Sequence, residues 1–277
     1  MQDNLKVEYK KKFIKTDNYE LYNYDNIEIM DLLIAEGKQV DLTVTSPPYD
    51  DLRSYNGTLE WNFDIFKKVA QRLYDITKEG GVVVWVVGDT TKNFNETGNS
   101  FRQALYFKEI GFNLLDTMIY LKENYTPAYP TMRRYANQFE YMFILSKGKP
   151  NTFNIKKIPK KAKRQGKRKF RKKDGVQIEK IVNNDYGTKS ATNVWNYSTG
   201  GSCTKDKIAF EHPAIFPEKL AEDHILSWSN EGDIVLDCFM GSNTTGKMAL
   251  KNNRKYIGIE KVEEYFDISK KRIGIEE

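Results

Sequence analysis

The sequence predicts an α/β protein in which a doubly wound, mostly parallel sheet is interrupted by one basic insertion. Strand-like and helix-like segments alternate on both sides of a lysine and arginine run, which is more economical as one sheet than as two unrelated domains. Residues 82–87 are β-branched or aromatic throughout, as in a strand covered on both faces. Residues 234–236 run into a turn holding Gly241 and Asn243 that opens a helix, and such a turn presents backbone amides at the carboxyl edge of a sheet.

From the N-terminus, 19–25 and 41–45 read as short strands flanking a helix over 27–36. Phe63, Phe66, Val69, Ala70, Leu73 and Ile76 share one helical face, predicting a helix over 63–77 that Gly80 and Gly81 stop. After the strand at 82–87 come a helix over 101–110, ended by Gly111, and strands near 114–121 and 139–145. Towards the C-terminus a strand over 234–236, a helix over 244–251 and a strand over 256–259 complete the alternation, with no internal repeat.

At 277 residues the chain is long enough to bury a large core. Its longest apolar run, 82–87, is far shorter than the roughly 20 residues of a membrane span, and its first residues lack an apolar signal core. Cys203 and Cys238 are too few for a disulfide framework or a zinc site, so a reducing cytoplasm and no metal are expected.

The net charge of +6 is unevenly spread. Residues 156–173 hold twelve Lys and Arg and no acid, and the remaining 32 bases face 38 acids, so the rest of the chain is net negative. Pro159, Gly166 and Phe170 interrupt the run, and its place between two structured halves favours phosphate binding over a solvated tail. Lys160, Lys161, Lys163, Arg164, Lys167, Arg168, Lys169 and Arg171 are the candidate phosphate contacts.

Two short segments carry the chemistry. Thr45 and Ser46 lead into Pro47, Pro48 and Tyr49; the two prolines stiffen the backbone, remove amide donors and bias Ser46 towards extended geometry. The Ser46 hydroxyl and Pro47 carbonyl suit an exocyclic amino group, and the Tyr49 ring offers a stacking face. Far along the chain, Asp237 ends a strand before Cys238, Phe239, Met240, Gly241, Ser242, Asn243, Thr244 and Thr245, while Glu260 ends the next strand, where nucleotide-binding sheets place a ribose-binding acid. Asn243 tolerates the left-handed backbone that a second glycine would otherwise supply.

These residues resemble the amino-methylating DNA methyltransferases in the circularly permuted order called the β class: a Ser-Pro-Pro-Tyr motif, then a target-recognition region, then an S-adenosylmethionine loop. The resemblance implies a Rossmann-like methyltransferase sheet, with residues 1–150 as the catalytic half, 151–205 as the DNA-binding insertion and 206–277 as the cofactor-binding half. It departs from the family at Cys238, usually proline, and at Asn243, usually glycine. It further implies that Ser46, Pro47, Pro48 and Tyr49 hold the target base, with Thr45 leading into them. The methionine end of S-adenosylmethionine would lie along Asp237, Phe239, Gly241, Ser242, Asn243, Thr244 and Thr245, its ribose at Glu260 and its adenine near Asp25. His212, Pro213 and Phe216 match a helix-opening segment beside the methionine moiety, where capping, packing and ligand contact all remain open for His212 and Pro213.

The implied partner is double-stranded DNA, whose target base must leave the stack to reach the sulfonium. A cognate restriction endonuclease is a partner the family allows, a prokaryotic or phage-encoded enzyme is expected, and the oligomeric state stays open. The family's adenine N6 enzymes more often carry Asp at position 46, so Ser46 favours cytosine N4. Cytosine C5 methylation is disfavoured because neither cysteine follows a proline. A nicotinamide-dependent oxidoreductase would leave the Pro-Pro-Tyr ledge and the insertion unexplained. An RNA or protein methyltransferase and a non-catalytic nucleic-acid-binding protein are the other readings. The bases in the target sequence are expected to be read by side chains of the insertion, including 189–201 with Trp195 and Tyr197.

Overall fold

A computed structural model of the protein describes residues 13–48, 61–127, 131, 133–160, 164–184, 187–213, 215 and 217–275. The chain divides into two compact units, residues 155–192 and the remainder. The larger unit begins with strands β1 (Phe13–Lys15), β2 (Tyr19–Tyr22), β3 (Val40–Thr45) and β4 (Thr77–Val87), the short pair β5 (Thr91–Lys92) and β6 (Asn95–Glu96), then β7 (Asn113–Lys122) and β8 (Phe139–Ser146). The smaller unit holds β9 (Lys157–Pro159), β10 (Arg164–Arg171), β11 (Gln177–Asn184) and β12 (Thr188–Ser190). The larger unit then resumes with β13 (Val194–Tyr197), β14 (Ile234–Asp237) and β15 (Lys255–Ile259). Its helices are α1 (Asn26–Ala35), α2 (Phe63–Ile76), α3 (Asn99–Glu109), α4 (Glu218–Trp228), α5 (Thr244–Lys251) and α6 (Glu263–Arg272).

Nine strands form one sheet in the order β1-β2-β15-β14-β3-β4-β8-β7-β13. β1 and β8 run against the other seven, which are mutually parallel in direction. β4 shows why its sequence is apolar throughout: Val83, Trp85 and Val87 join a core with α1, α2 and α3, while Val82, Val84 and Val86 are buried on the opposite face. The stripe expected on α2 is buried as Phe66, Val69, Ala70, Leu73 and Ile76, each large side chain contributing about 2 kcal/mol.

Two boundaries differ from the sequence reading: the strand expected over 19–25 ends at Tyr22, and the helix expected over 63–77 is shorter. The helix ends at Ile76, and the strand begins at Thr77, so Gly80 and Gly81 lie within β4. Gly80 has φ +76°, and a Cβ there would meet Asn151, whose amide donates to the Gly80 carbonyl at 2.9 Å. The two glycines thus let β4 bend under the loop that follows β8.

β3 and β14 are neighbours, pairing Val235 with Leu42 and Leu236 with Thr43. The strand after β14 lies on one side of this pair and the strand after β3 on the other. This is the switch point of an open α/β sheet, where loops diverge and leave a crevice. A second correction concerns Trp195 and Tyr197. Both are buried in the larger unit, Trp195 against the His224 ring at 4.8 Å and Tyr197 donating to Asp223 at 2.8 Å, so neither is placed to read bases.

Within the smaller unit β10 and β11 form an antiparallel hairpin, and β9 pairs with β12. The hairpin turns through Asp174, whose carboxylate accepts the Val176 amide at 3.1 Å, and Gly175, with φ +86°.

Candidate active site

β3 ends at Thr45 and delivers Ser46, Pro47 and Pro48 to the wall of a cavity of about 1030 Å³. β14 ends at Asp237 beside it, and the loop that follows brings Phe239, Met240, Gly241, Ser242 and Thr244 to the same cavity. Asp237 Oδ1 accepts the Thr45 hydroxyl at 2.7 Å, and the Thr245 hydroxyl donates to the Val44 carbonyl at 3.1 Å. The proline ledge and the distant loop are therefore pinned together where the sheet switches direction.

The loop needs two left-handed residues in three positions. Gly241 has φ +50°, and a Cβ there would approach His212 Nε2 to 3.0 Å, so glycine serves both the backbone and the packing. Asn243 has φ +65°, as the sequence reading anticipated, and its amide donates to the Ser269 carbonyl at 3.2 Å. The His212 ring lies between this glycine and Tyr265, 4.3 Å from the tyrosine ring centroid, which makes packing part of its role.

Two carboxyl groups are buried beneath the loop. Burial pushes Asp237 up to about 6 against the opposing hydrogen bonds from Thr45 and the Phe239 amide. Burial pushes Glu260 up to about 7, although it accepts the Val262 and Gly241 amides at 2.8 Å each. Asp25 caps α1, accepting the Ile27 amide at 2.9 Å and the Glu28 amide at 3.4 Å, and pairs with Lys261 at 3.1 Å. These bonds fix Asn26 and Ile27 at the cavity wall; the Asn26 side chain also donates to the Cys238 carbonyl at 3.0 Å.

Of the residues expected at the site, Asp25, Ser46, Pro47, Pro48, His212, Pro213, Phe239, Gly241, Ser242, Thr244 and Glu260 line one cavity. Thr45, Asp237, Asn243 and Thr245 are buried behind its wall, where their hydrogen bonds hold the two loops in register. Tyr49, Phe216, Lys161 and Lys163 lie outside the described residues. Lys167, Arg168, Lys169 and Arg171 are exposed along β10, Arg164 starts that strand, and Lys160 is half-buried, its amide bonded to the Gly187 carbonyl.

Trp61 and Arg272 went unnoticed in the sequence, and other residues also contribute. Trp61, just before α2, lines the cavity and meets Phe239 edge-on at 5.3 Å. The far wall carries Lys122 paired with Glu140 at 2.8 Å. Behind the loop, the Arg272 side chain is fully buried; its guanidinium donates to the Ser242 carbonyl at 2.7 Å, the Ser242 hydroxyl at 3.1 Å and the Thr244 hydroxyl at 2.9 Å. Asp206 and Glu218 bind that guanidinium at 3.0 and 2.9 Å and also bind Lys247. The charge pattern of α6, Glu263 and Glu264 opening it and Lys270, Lys271 and Arg272 closing it, was a readable helix signal.

A family profile described as DNA methylase, of the N6/N4 type, matches residues 40–271. The orphan methyltransferase M.BamHII of Bacillus amyloliquefaciens is 58% identical over 242 residues, 84% of this chain and 88% of that protein. Type II methyltransferase M.HpaI of Haemophilus parainfluenzae is 29% identical over 250 residues, 87% of this chain and 70% of that one. Among solved structures, the cytosine-N4-specific PvuII DNA methyltransferase has a TM-score of 0.68 at 22% identity, covering 93% of this chain and 87% of its own. The M1.HpyAVI-SAM complex has a TM-score of 0.63 at 23% identity, covering 92% and 100%. The fold is thus that of the methyltransferases, a Rossmann-like sheet with helices on both faces. The chain belongs to the DNA methylase family and is an S-adenosylmethionine-dependent DNA amino-methyltransferase. Among the described residues no helix is long and apolar enough to cross a membrane.

Proposed function

We propose that this enzyme methylates N4 of cytosine in duplex DNA, the base being extruded into the cavity between the proline ledge and the loop after β14. The observation that carries the reading is the 2.7 Å bond from Thr45 to Asp237, which joins the two motifs beside one hollow. The residues fit the cofactor: the loop offers a left-handed glycine packed closely on His212, and Glu260 is a buried acceptor at the same wall. Phe239, Gly241, Ser242 and Thr244 would hold the methionine end and Glu260 the ribose hydroxyls. Asp25 would shape the adenine side through Asn26 and Ile27.

Bound S-adenosylmethionine supplies an electrophilic methyl on a sulfonium. The exocyclic nitrogen of the base is a weak nucleophile because its lone pair is conjugated with the ring. By accepting its two N–H bonds, the Ser46 hydroxyl and Pro47 carbonyl favour a pyramidal nitrogen whose lone pair faces the methyl carbon. The C–N bond forms as the C–S bond breaks, and the proton, acidic only after attack, leaves to solvent. No strong base is needed, since holding the reactants in line is worth roughly 7 to 11 kcal/mol.

Serine at position 46 supports cytosine as the base, and adenine N6 is the alternative outcome of the test. The basic insertion supports duplex DNA as the substrate. The similarity to an enzyme named an orphan methyltransferase favours action without a restriction endonuclease, and the similarity to bacterial methyltransferases favours the cytoplasm. Mass spectrometry of nucleosides from DNA incubated with the enzyme and S-adenosylmethionine tests the target: N4-methylcytosine is expected, and N6-methyladenine would overturn the choice of base. Ser46→Ala is expected to lower kcat about a hundredfold.

A further inference from the structure

The pairing of β10 with β11 puts Arg168 opposite Lys180, Phe170 opposite Ile178 and Lys169 opposite Glu179. Side chains alternate along a strand, and directly paired residues share a face. Arg168, Phe170, Ile178 and Lys180 therefore occupy one face of the ribbon, and Lys167, Lys169, Arg171, Gln177, Glu179 and Ile181 the other.

The two faces differ in how their charges are balanced. Lys169 stands across from Glu179, so the second face partly neutralises itself. On the first face two exposed cations stand directly across from each other, which destabilises a ribbon in isolation. Beside them the Phe170 ring is 44% exposed. Duplex DNA relieves both defects: its phosphates and guanine edges answer the cations, and thymine methyl groups answer the apolar pair. The size also fits. Two strands of eight residues extend about 26 Å at ~3.3 Å per residue, and a two-stranded ribbon enters a major groove about 12 Å wide but not a minor groove about 6 Å wide.

We infer that the β10–β11 ribbon enters the major groove of the target duplex with its Arg168, Phe170, Ile178 and Lys180 face towards the base edges, making these residues determinants of sequence specificity. The inference rests on the DNA-methylating reading above. Arg168 matches the O6 and N7 acceptors of guanine, while Lys167 and Lys169 on the other face add attraction that is independent of sequence.

Methylation interference with the full-length enzyme tests this. Duplex targets pretreated with dimethyl sulfate carry methyl groups on guanine N7 in the major groove and on adenine N3 in the minor groove. Guanine N7 methylation within the target is expected to block binding, and adenine N3 methylation is not. Arg168→Gln should abolish interference at a guanine and broaden the set of methylated sites read by single-molecule sequencing. Lys167→Gln and Lys169→Gln should weaken all duplexes alike, each lowering the salt slope by about 0.9. Interference confined to adenine N3, or an Arg168→Gln variant that leaves the guanine pattern intact, would overturn the inference. The wild-type pattern needs no variant to fold and no turnover, so an enzyme that binds this way yet transfers no methyl group to DNA would contradict the catalytic reading alone.

Discussion

Glu260 accepts two backbone amides at 2.8 Å, yet burial raises it to about 7. Its neutral form is favoured in the folded protein, so its contribution to stability is full below about pH 4.5 and is lost as pH rises through about 7. A ligand hydroxyl donating to the carboxylate reverses that preference by favouring the charged form. Affinity for S-adenosylhomocysteine, measured by calorimetry, should therefore fall as pH drops from 8 to 6, approaching roughly tenfold per unit, with proton release on binding. Glu260→Gln should flatten the profile; an unchanged profile would remove Glu260 from the ribose site. Asn243 was legible because a short polar residue in a strand-to-helix turn suits left-handed backbone. Its neighbours Asp237 and Thr245 were legible as belonging to the site, but their hydrogen bonds to β3 were not, because those bonds join residues 192 and 201 positions apart.

The elements expected from the sequence in the larger unit are present, because each carries its own signal: an apolar stripe on α2, an unbroken apolar run in β4, and a turn through Gly241 and Asn243 that leads into α5. Thr77 was placed in the helix and Gly80 was taken as its stop because neither the tight packing of Asn151 nor the strand pairing of Val40 with Thr77 is visible locally. The link from α6 to the loop was equally hidden, since Arg272 reaches Ser242 only after the chain has folded. That link is testable. Burial would raise Asp206 and Glu218, but hydrogen bonds from Arg272, Lys247 and Thr204 outweigh it and hold both below the usual carboxylate range. Their contribution is present above about pH 4 and is lost as pH falls through the lowered values. Arg272→Met should destabilise the protein by about 3 kcal/mol and steepen no part of its acid limb. It should also weaken S-adenosylhomocysteine binding while leaving DNA affinity unchanged, and Arg272→Lys should restore part of the ligand affinity. Equal losses for both ligands would mark Arg272 as a general fold residue.

Across the whole molecule, the excess positive charge sits in the smaller unit and the cofactor and base machinery in the larger one. Charge clustering made the former conspicuous in the sequence, but the hairpin itself went unseen because lysine and arginine mask the strand alternation of β10. The central claim is that the ledge after β3 and the loop after β14 form one reaction chamber. A crystal structure of the enzyme with S-adenosylhomocysteine and a duplex target tests it most directly. The ligand sulfur is expected beside Phe239 to Thr244, with the extruded cytosine's amino group bonded to Ser46 and Pro47 and facing that sulfur. A ligand bound elsewhere, or a base whose amino group points away from the sulfur and the ledge, would contradict the account.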